Sequence, residues 1–127
     1  MSTISIFTAS GSCIVRDAPI AASFFARLTG LLTRRFLREC DGLMLEPGGS
    51  VHTLGMRYAI DVVFFDCRLR VLRVISHLEP WRCGFAPRGT TRVLELPAGR
   101  ASTLGLRTGM QLQATREERS WKTRDAE

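Results

Sequence analysis

The chain has 127 residues, of which 45% are hydrophobic, and it carries a formal net charge of +6 at pH 7. This length is typical of one domain that buries its own core, and the composition is ordinary for a soluble globular protein. The longest apolar run, residues 62–65, is far shorter than the about 20 residues of a transmembrane helix, so no helical membrane span is predicted.

Short apolar stretches separated by turn residues predict a chain made mostly of strands. Residues 58–65 are the most continuously apolar stretch, which is typical of a strand buried on both faces in the middle of a sheet. Residues 66–68 are expected to form the hairpin turn after it. The predicted strands, in chain order, are 4–7, 13–16, 42–45, 51–54, 58–65, 69–78, 91–96 and 110–115.

Two segments follow helical spacing instead. Phe24, Leu28 and Leu31 recur on one helical face, so an amphipathic helix is predicted near residues 21–32. A second, short helix is predicted near residues 98–104, where a glycine follows as a C-terminal cap. Strands and helices do not alternate regularly, which argues against a doubly wound parallel sheet.

The predicted fold class is therefore mainly β with an α+β tendency, a compact antiparallel β-barrel or sandwich that carries these two helices. Residues 1–115 are predicted to form a single globular β-rich domain, and residues 116–127 a charged C-terminal tail. No pattern in the sequence indicates an oligomeric state.

The excess of positive charge raises nucleic acid as a partner. Nearly all the basic residues are arginines, however, and they are spread along the chain, with Arg34–Arg35 as the one adjacent pair. Aromatic residues do not interleave with them as they do on a base-stacking surface. The pattern therefore favours a solvated basic surface over a nucleic-acid site.

The N-terminus and the cysteines carry no signal for export or for a cofactor. The first residues, MSTISIFTASGS, lack a basic region followed by a long apolar stretch, so we expect no signal peptide and a cytoplasmic location. Cysteines stand at positions 13, 40, 67 and 83 without C-x-x-C spacing, so neither a disulfide framework nor a zinc site is predicted. We expect no metal and no cofactor.

Asp61 is the one ionisable residue in the apolar run of the predicted central strand. Because burying a lone carboxylate is costly, Asp61 must find hydrogen-bond donors or a cation, or become neutral. Arg57 at the start of the same strand and His52 on the preceding strand are candidate partners. Two interpretations remain open, a structural anchor within the protein and a part of a ligand site, and we favour the anchor.

Two further features are unusual for their surroundings. Glu95 shares a strand face with Val93, so a second carboxylate is buried if that face is internal and solvated if it is external. Trp81 and Arg82 lie in a loop broken by prolines and glycines, which is typical of a recognition surface. Trp81 alternatively seals one end of the barrel.

No nucleophile, metal or nucleotide-binding motif accompanies these residues, and no catalytic residue is assigned. We predict a non-catalytic binding or accessory module for a small polar ligand, a saccharide or a peptide. The alternative is a hydrolase-like or other acid/base enzyme that uses His52 with Asp61 or Glu95, and a basic module on nucleic acid or an anionic surface is a weaker one. The residues predicted to line a candidate cleft are His52, Met56, Arg57, Asp61, Trp81, Arg82 and Glu95.

Six motifs follow one another along most of the chain. They are GLL at 30–32, DGLML at 41–45, HTLGMR at 52–57, IDVVFFD at 60–66, LELPAG at 94–99 and LGL at 104–106. Their order and spacing resemble those of an uncharacterised prokaryotic family, domain-of-unknown-function family 192. Many members carry an aromatic pair before the methionine, where this chain has Leu54–Gly55. The resemblance implies a small β-rich domain with short helices, and it implies no activity, substrate or cofactor.

Overall fold

The chain folds mainly into strands, as its sequence pattern predicts. A computed structural model describes residues 2–21, 41–53 and 56–118. The predicted helix near residues 21–32 lies outside the described residues, apart from Ala21, which ends a strand. The described elements are β1 (Ser2–Phe7), β2 (Cys13–Ala21), β3 (Leu43–Leu45), β4 (Val51–His52), β5 (Ile60–Phe65), β6 (Val71–Leu78), β7 (Cys83–Gly84), β8 (Arg92–Pro97), α1 (Arg100–Thr103) and β9 (Gln113–Glu118).

Seven of these strands form one sheet in the order β6-β5-β8-β3-β2-β1-β9, and β4 pairs with β7 in a separate two-stranded sheet. Neighbouring strands run antiparallel, as predicted, except that β2 and β3 are parallel. A parallel pair needs a connection of a dozen or more residues, and residues 22–42 between β2 and β3 supply that length. The larger sheet is therefore mixed rather than purely antiparallel.

Strand β5 lies between β6 and β8, and all six of its residues are buried, which confirms the predicted interior strand. Because alternate side chains of a strand point to opposite faces, β5 contributes to two apolar clusters. The first cluster contains Val63 and Phe65 with residues of β1, β2 and β8. The second cluster contains Ile60, Val62 and Phe64 with residues of β3, β4 and β8.

The seven-stranded sheet curves, so that β1 and β2 pack with β5 and β8 in the first cluster. Arg70, just before β6, forms an isolated antiparallel bridge with Gln111, shortly before β9. The edge strands β6 and β9 do not pair with each other within the described ranges, so the sheet is not closed into a barrel. The sandwich form of the predicted fold fits, whereas the barrel form was wrong.

Two predicted boundaries shift in the structure. The short helix predicted near residues 98–104 is present as α1, and it covers only Arg100–Thr103. Strand β9 continues to Glu118, which pairs with Ser2 of β1, so the predicted domain boundary after residue 115 falls inside a strand. Strand pairing uses backbone groups, and the charged side chains of residues 116–118 are exposed to water while their main chain pairs with β1.

Glu46, directly after β3, lies between two arginines from different strands. Arg116 of β9 donates to both carboxylate oxygens, at 2.9 Å to Oε1, and Arg92 Nε of β8 lies 2.8 Å from Oε2. The hydrogen bond from Arg116 lowers the pKa of Glu46 below its ordinary value of 4.5, and burial of the carboxyl group opposes that change. This ion-pair cluster ties β3 to β8 and β9 across the curved sheet.

Replacing Glu46 with glutamine is expected to lower the free energy of unfolding by about 0.5–1 kcal/mol at pH 7, because the ion pairs are partly exposed. Since the pKa is lower in the folded state, this stabilisation is present above the unfolded pKa and is lost as the pH falls through the folded one. Urea unfolding from pH 7 to pH 3 measures it. The exposed Glu79→Gln is the control, and an unchanged difference between wild type and Glu46→Gln at pH 3 would contradict the linkage.

Candidate functional site

The Asp61 side chain is fully buried, with 0% of it exposed, and it bonds to the backbone of two other elements. Its Oδ1 accepts the N–H of His77 in β6 at 2.8 Å, and its Oδ2 accepts the N–H of Ala101 in α1 at 2.8 Å. The carboxylate therefore joins β5, β6 and α1. Its hydrogen-bond donors are these backbone groups and not the side chains of Arg57 or His52.

An irregularity in strand β6 explains why a carboxylate is needed at this position. Ile60 pairs with Leu78 and Val62 pairs with Ile75, so β6 has one residue more than β5 over this interval. His77 lies there in the left-handed region, with φ 59°. A bulge takes an N–H out of the regular ladder, and a buried N–H without a partner is costly. Asp61 supplies that partner.

Glu95 is also buried, with 3% of its surface exposed, but it lies on the other face of the sheet. Residues directly opposite each other in an antiparallel pair share a face. Glu95 pairs with Val62, whereas Asp61 pairs with Leu96. Because Asp61 and Val62 are neighbours in β5, their side chains point in opposite directions. The structure therefore does not bring Asp61 and Glu95 into one cleft.

The two-stranded sheet of β4 and β7 has an inner and an outer side. Val51 and Gly84 face each other on the inner side, where a Cβ on Gly84 would lie 2.9 Å from Ile75 Cδ1. His52 and Cys83 are the next pair, so they lie on the outer side. Cys83 is an exposed free thiol, and the Nδ1 atom of half-buried His52 is buried without a hydrogen-bond partner among the described residues.

Thr53, directly after β4, is hydrogen-bonded to the loop between β6 and β7. Its hydroxyl donates to the Glu79 carbonyl at 2.5 Å and accepts the Arg82 N–H at 2.9 Å. Its backbone N–H donates to the Arg82 carbonyl, and its own carbonyl accepts N–H groups from Met56 and Trp81. Thr53 is fully buried. Nothing in the local sequence pattern indicated this role, because the contacts with Glu79, Trp81 and Arg82 join segments that are distant in the chain.

This loop and the segment directly after β7 each carry one large aromatic side chain that is exposed to water. Trp81, with its backbone in the left-handed region at φ 63°, is 67% exposed, and Phe85 is 70% exposed. The Phe85 carbonyl accepts a hydrogen bond from Arg73 Nη1 at 2.8 Å. A hydrogen-bonded backbone thus presents both exposed aromatic rings. Sequence reasoning missed Phe85, although a phenylalanine among prolines, glycines and arginines was a usable signal.

Four residues define what we call the aromatic–arginine surface: Arg57, Trp81, Arg82 and Phe85. Arg57 is included because the main chain of its neighbour Met56 and that of Trp81 both donate to the Thr53 carbonyl, which places the two segments side by side. Both arginines are exposed.

Of the seven residues predicted to line a cleft, the structure brings four together. Arg57, Trp81 and Arg82 lie on the aromatic–arginine surface, and His52 lies beside it on the outer side of β4. Met56 is buried in the second cluster. The remaining two, Asp61 and Glu95, are in the sheet interior on opposite faces. No group of three or more metal-ligating side chains occurs in the described ranges.

Comparison with known proteins assigns the family. The model of domain-of-unknown-function family 192, described as "Uncharacterized ACR", matches residues 5–114. The chain belongs to this family. The match confirms the resemblance seen in the motifs, and it includes every residue of the aromatic–arginine surface. UPF0127 protein PF1050 of Pyrococcus furiosus is a similar protein. It is 32% identical to this chain over 103 residues, which cover 79% of this chain and 88% of that protein.

Two solved structures share the fold of this chain. A protein of unknown function from Novosphingobium aromaticivorans superposes with a TM-score of 0.70 at 21% identity, covering 87% of this chain and 83% of that one. A candidate transcription regulator from Sinorhizobium meliloti superposes with a TM-score of 0.69 at 22% identity, covering 90% and 94%. At these identities the similarity is one of fold.

Proposed function

We propose that this family 192 domain is a non-catalytic binding module that contacts its ligand through the aromatic–arginine surface. The observation that carries the proposal is the exposure of Trp81 on a loop whose backbone is hydrogen-bonded to Thr53 on both sides of it. An exposed tryptophan on an ordered backbone loses little conformational entropy when it binds, and tryptophan and arginine are enriched among residues that dominate binding energy.

The chemistry of this surface suits a polar ligand with a flat or apolar portion. The Trp81 ring offers a face for stacking, and the neighbouring Arg82 and Arg57 guanidinium groups donate charge-assisted hydrogen bonds. Saccharides and peptides combine both features. The half-buried His52 ring, with its unpartnered Nδ1, offers one more polar contact at the edge of the surface.

The alternative, an acid/base enzyme, has less support from the geometry. Both oxygens of Asp61 accept backbone N–H groups in the core, where no ligand reaches them. Glu95 is buried on the other face of the sheet, away from Asp61. His52 is thus left without a carboxylate from the proposed pair beside it. A binding surface needs none of these residues to move.

Trp81 fluorescence tests the proposal. The chain has two tryptophans, so a Trp121→Phe background leaves Trp81 as the only one. We expect a quenched or blue-shifted emission on titration with at least one member of a panel of acidic, neutral and basic peptides and of neutral oligosaccharides, because ligand contact removes the ring from water. Trp81→Ala, measured by calorimetry, is expected to weaken that binding at least about tenfold.

The control for this experiment is Arg68→Ala in the turn after β5. Strand β5 separates this exposed arginine from Arg57 by about 20 Å, so Arg68→Ala is expected to leave binding unchanged. The proposal would be overturned if no probe changed the Trp81 emission at millimolar concentration. It would also be overturned if Trp81→Ala bound the ligand with the same affinity as the parent protein.

Nucleic acid is the second candidate ligand, because of the net charge of +6 and because the Sinorhizobium meliloti relative is described as a candidate transcription regulator. A nucleic-acid-binding function predicts an affinity for oligonucleotides that falls steeply as the salt concentration rises.

A further inference from the structure

The arginines of the aromatic–arginine surface have no acidic partner in the part of the chain that the structure describes, although the protein has carboxylates to offer. Asp61 and Glu95 are buried in the sheet. Glu46 is held by arginines of β8 and β9, and Asp66 accepts backbone N–H groups in its own turn. These four carboxylates are therefore engaged elsewhere. Glu79 is exposed in the same loop as Arg82, but among the described residues it forms no ion pair with Arg57 or Arg82, so both guanidinium groups are available to a ligand.

We propose that the ligand is a peptide segment of a partner protein in which acidic residues surround two large apolar side chains. This inference rests on the proposed function and adds the partner to it. Carboxylates of the partner pair with Arg57 and Arg82, and its apolar side chains pack on Trp81 and Phe85. The neighbouring aromatic rings exclude water from these ion pairs. Such charge-assisted hydrogen bonds are stronger than those between neutral groups.

The sequence separation of the two aromatic side chains limits the length that a partner peptide has to span. Trp81 and Phe85 are four residues apart, and β7 between them is extended. At about 3.3 Å per residue the two positions lie at most about 13 Å apart. An extended partner chain places side chains on one side at every second residue, so apolar residues separated by four positions reach both rings.

The number of free arginines argues against nucleic acid as the occupant. Affinity for the phosphate backbone of a nucleic acid comes from the number of phosphates that lysine and arginine side chains neutralise. The aromatic–arginine surface contains two arginines, which suffice for the carboxylates of a short peptide segment. Neutral saccharides offer hydroxyl oxygens as acceptors but no negative charge to pair with the guanidinium groups.

Three peptides of one design test the partner class: Ac-EDFEDELDE-NH2, its neutral counterpart Ac-QNFQNQLNQ-NH2 and its basic counterpart Ac-KKFKKKLKK-NH2. Titration in the Trp121→Phe background is expected to show at least tenfold tighter binding of the acidic peptide than of the neutral one. Arg57→Glu combined with Arg82→Glu is expected to weaken the acidic peptide at least thirtyfold and to raise the affinity for the basic one. Arg68→Glu is the matched charge reversal and is expected to change neither by more than twofold.

Each other outcome has a separate meaning. Equal binding of the acidic and neutral peptides overturns the acidic partner and leaves the binding module standing. If a dT oligonucleotide displaces the acidic peptide, and binds with higher affinity and a steeper salt dependence, then the ligand is a nucleic acid and not a peptide. No Trp81 response to any peptide, oligonucleotide or saccharide overturns both proposals. If the double variant unfolds, which circular dichroism detects, Arg82→Gln alone is used and is expected to weaken the acidic peptide at least threefold.

Discussion

Replacing Asp61 with alanine is expected to lower the free energy of unfolding by about 3–5 kcal/mol, because it leaves two buried backbone N–H groups, those of His77 and Ala101, without acceptors. Asp61→Asn keeps one acceptor oxygen and is expected to cost about 2 kcal/mol. Urea denaturation followed by far-ultraviolet circular dichroism at pH 7 measures both changes. A loss of this size is a large fraction of the total stability of a domain.

The control for Asp61 is Asp41→Asn, which makes the same chemical change at an exposed position. It is expected to alter stability by less than about 0.5 kcal/mol. If Asp61→Asn unfolds at the same urea concentration as wild type but no longer responds to peptide in the Trp81 assay, then Asp61 serves a ligand and its anchor role is wrong. The two readouts therefore separate the interpretations that the sequence leaves open.

Replacing Thr53 with valine is expected to lower the free energy of unfolding by about 2 kcal/mol. Valine has nearly the same shape but no hydroxyl, so the buried Glu79 carbonyl and Arg82 N–H lose their partner. The loop that carries Trp81 should then open more often, because part of its hydrogen bonding is gone. Urea denaturation measures the stability, and the rate of tryptic cleavage after Arg82 measures the opening of the loop.

Thr90→Val is the matched control for Thr53→Val. The Thr90 hydroxyl donates one hydrogen bond, to the Pro87 carbonyl at 2.7 Å, and Thr90 is only half-buried. Its replacement is expected to cost less than about 1 kcal/mol and to leave cleavage after Arg82 unchanged. Equal cleavage rates in Thr53→Val and wild type would show that Thr53 does not hold the loop, and the rigidity on which the binding surface depends would need another cause.

The interior strand β5 and the burial of Asp61 were predictable because both follow from a local pattern. A run of apolar residues on both faces of a strand requires cover on both faces, and a carboxylate inside that run needs donors. Which donors it finds was not predictable. They lie 16 and 40 residues along the chain, and one of them exists only because β6 has an extra residue opposite β5.

In the candidate site too, some features follow from the local sequence and others depend on long-range strand pairing. Trp81 and Arg82 stand out in the sequence because an aromatic residue and an arginine share a loop rich in turn residues. Placing Glu95 with them required the register between β5 and β8, and the observed register puts it on the opposite face from Asp61. A shift of one residue would reverse that result, and no local signal fixes such a shift.

Local patterning thus accounts for the mainly β class, for most of the strands and for the residues that depart from the apolar pattern, since each depends on side chains within a few positions. Long-range pairing decided the parallel contact of β2 with β3, the open sheet, the partners of Asp61 and the surface formed by Arg57, Trp81, Arg82 and Phe85. These features depend on backbone groups that are far apart in the chain and meet only once the sheet has formed.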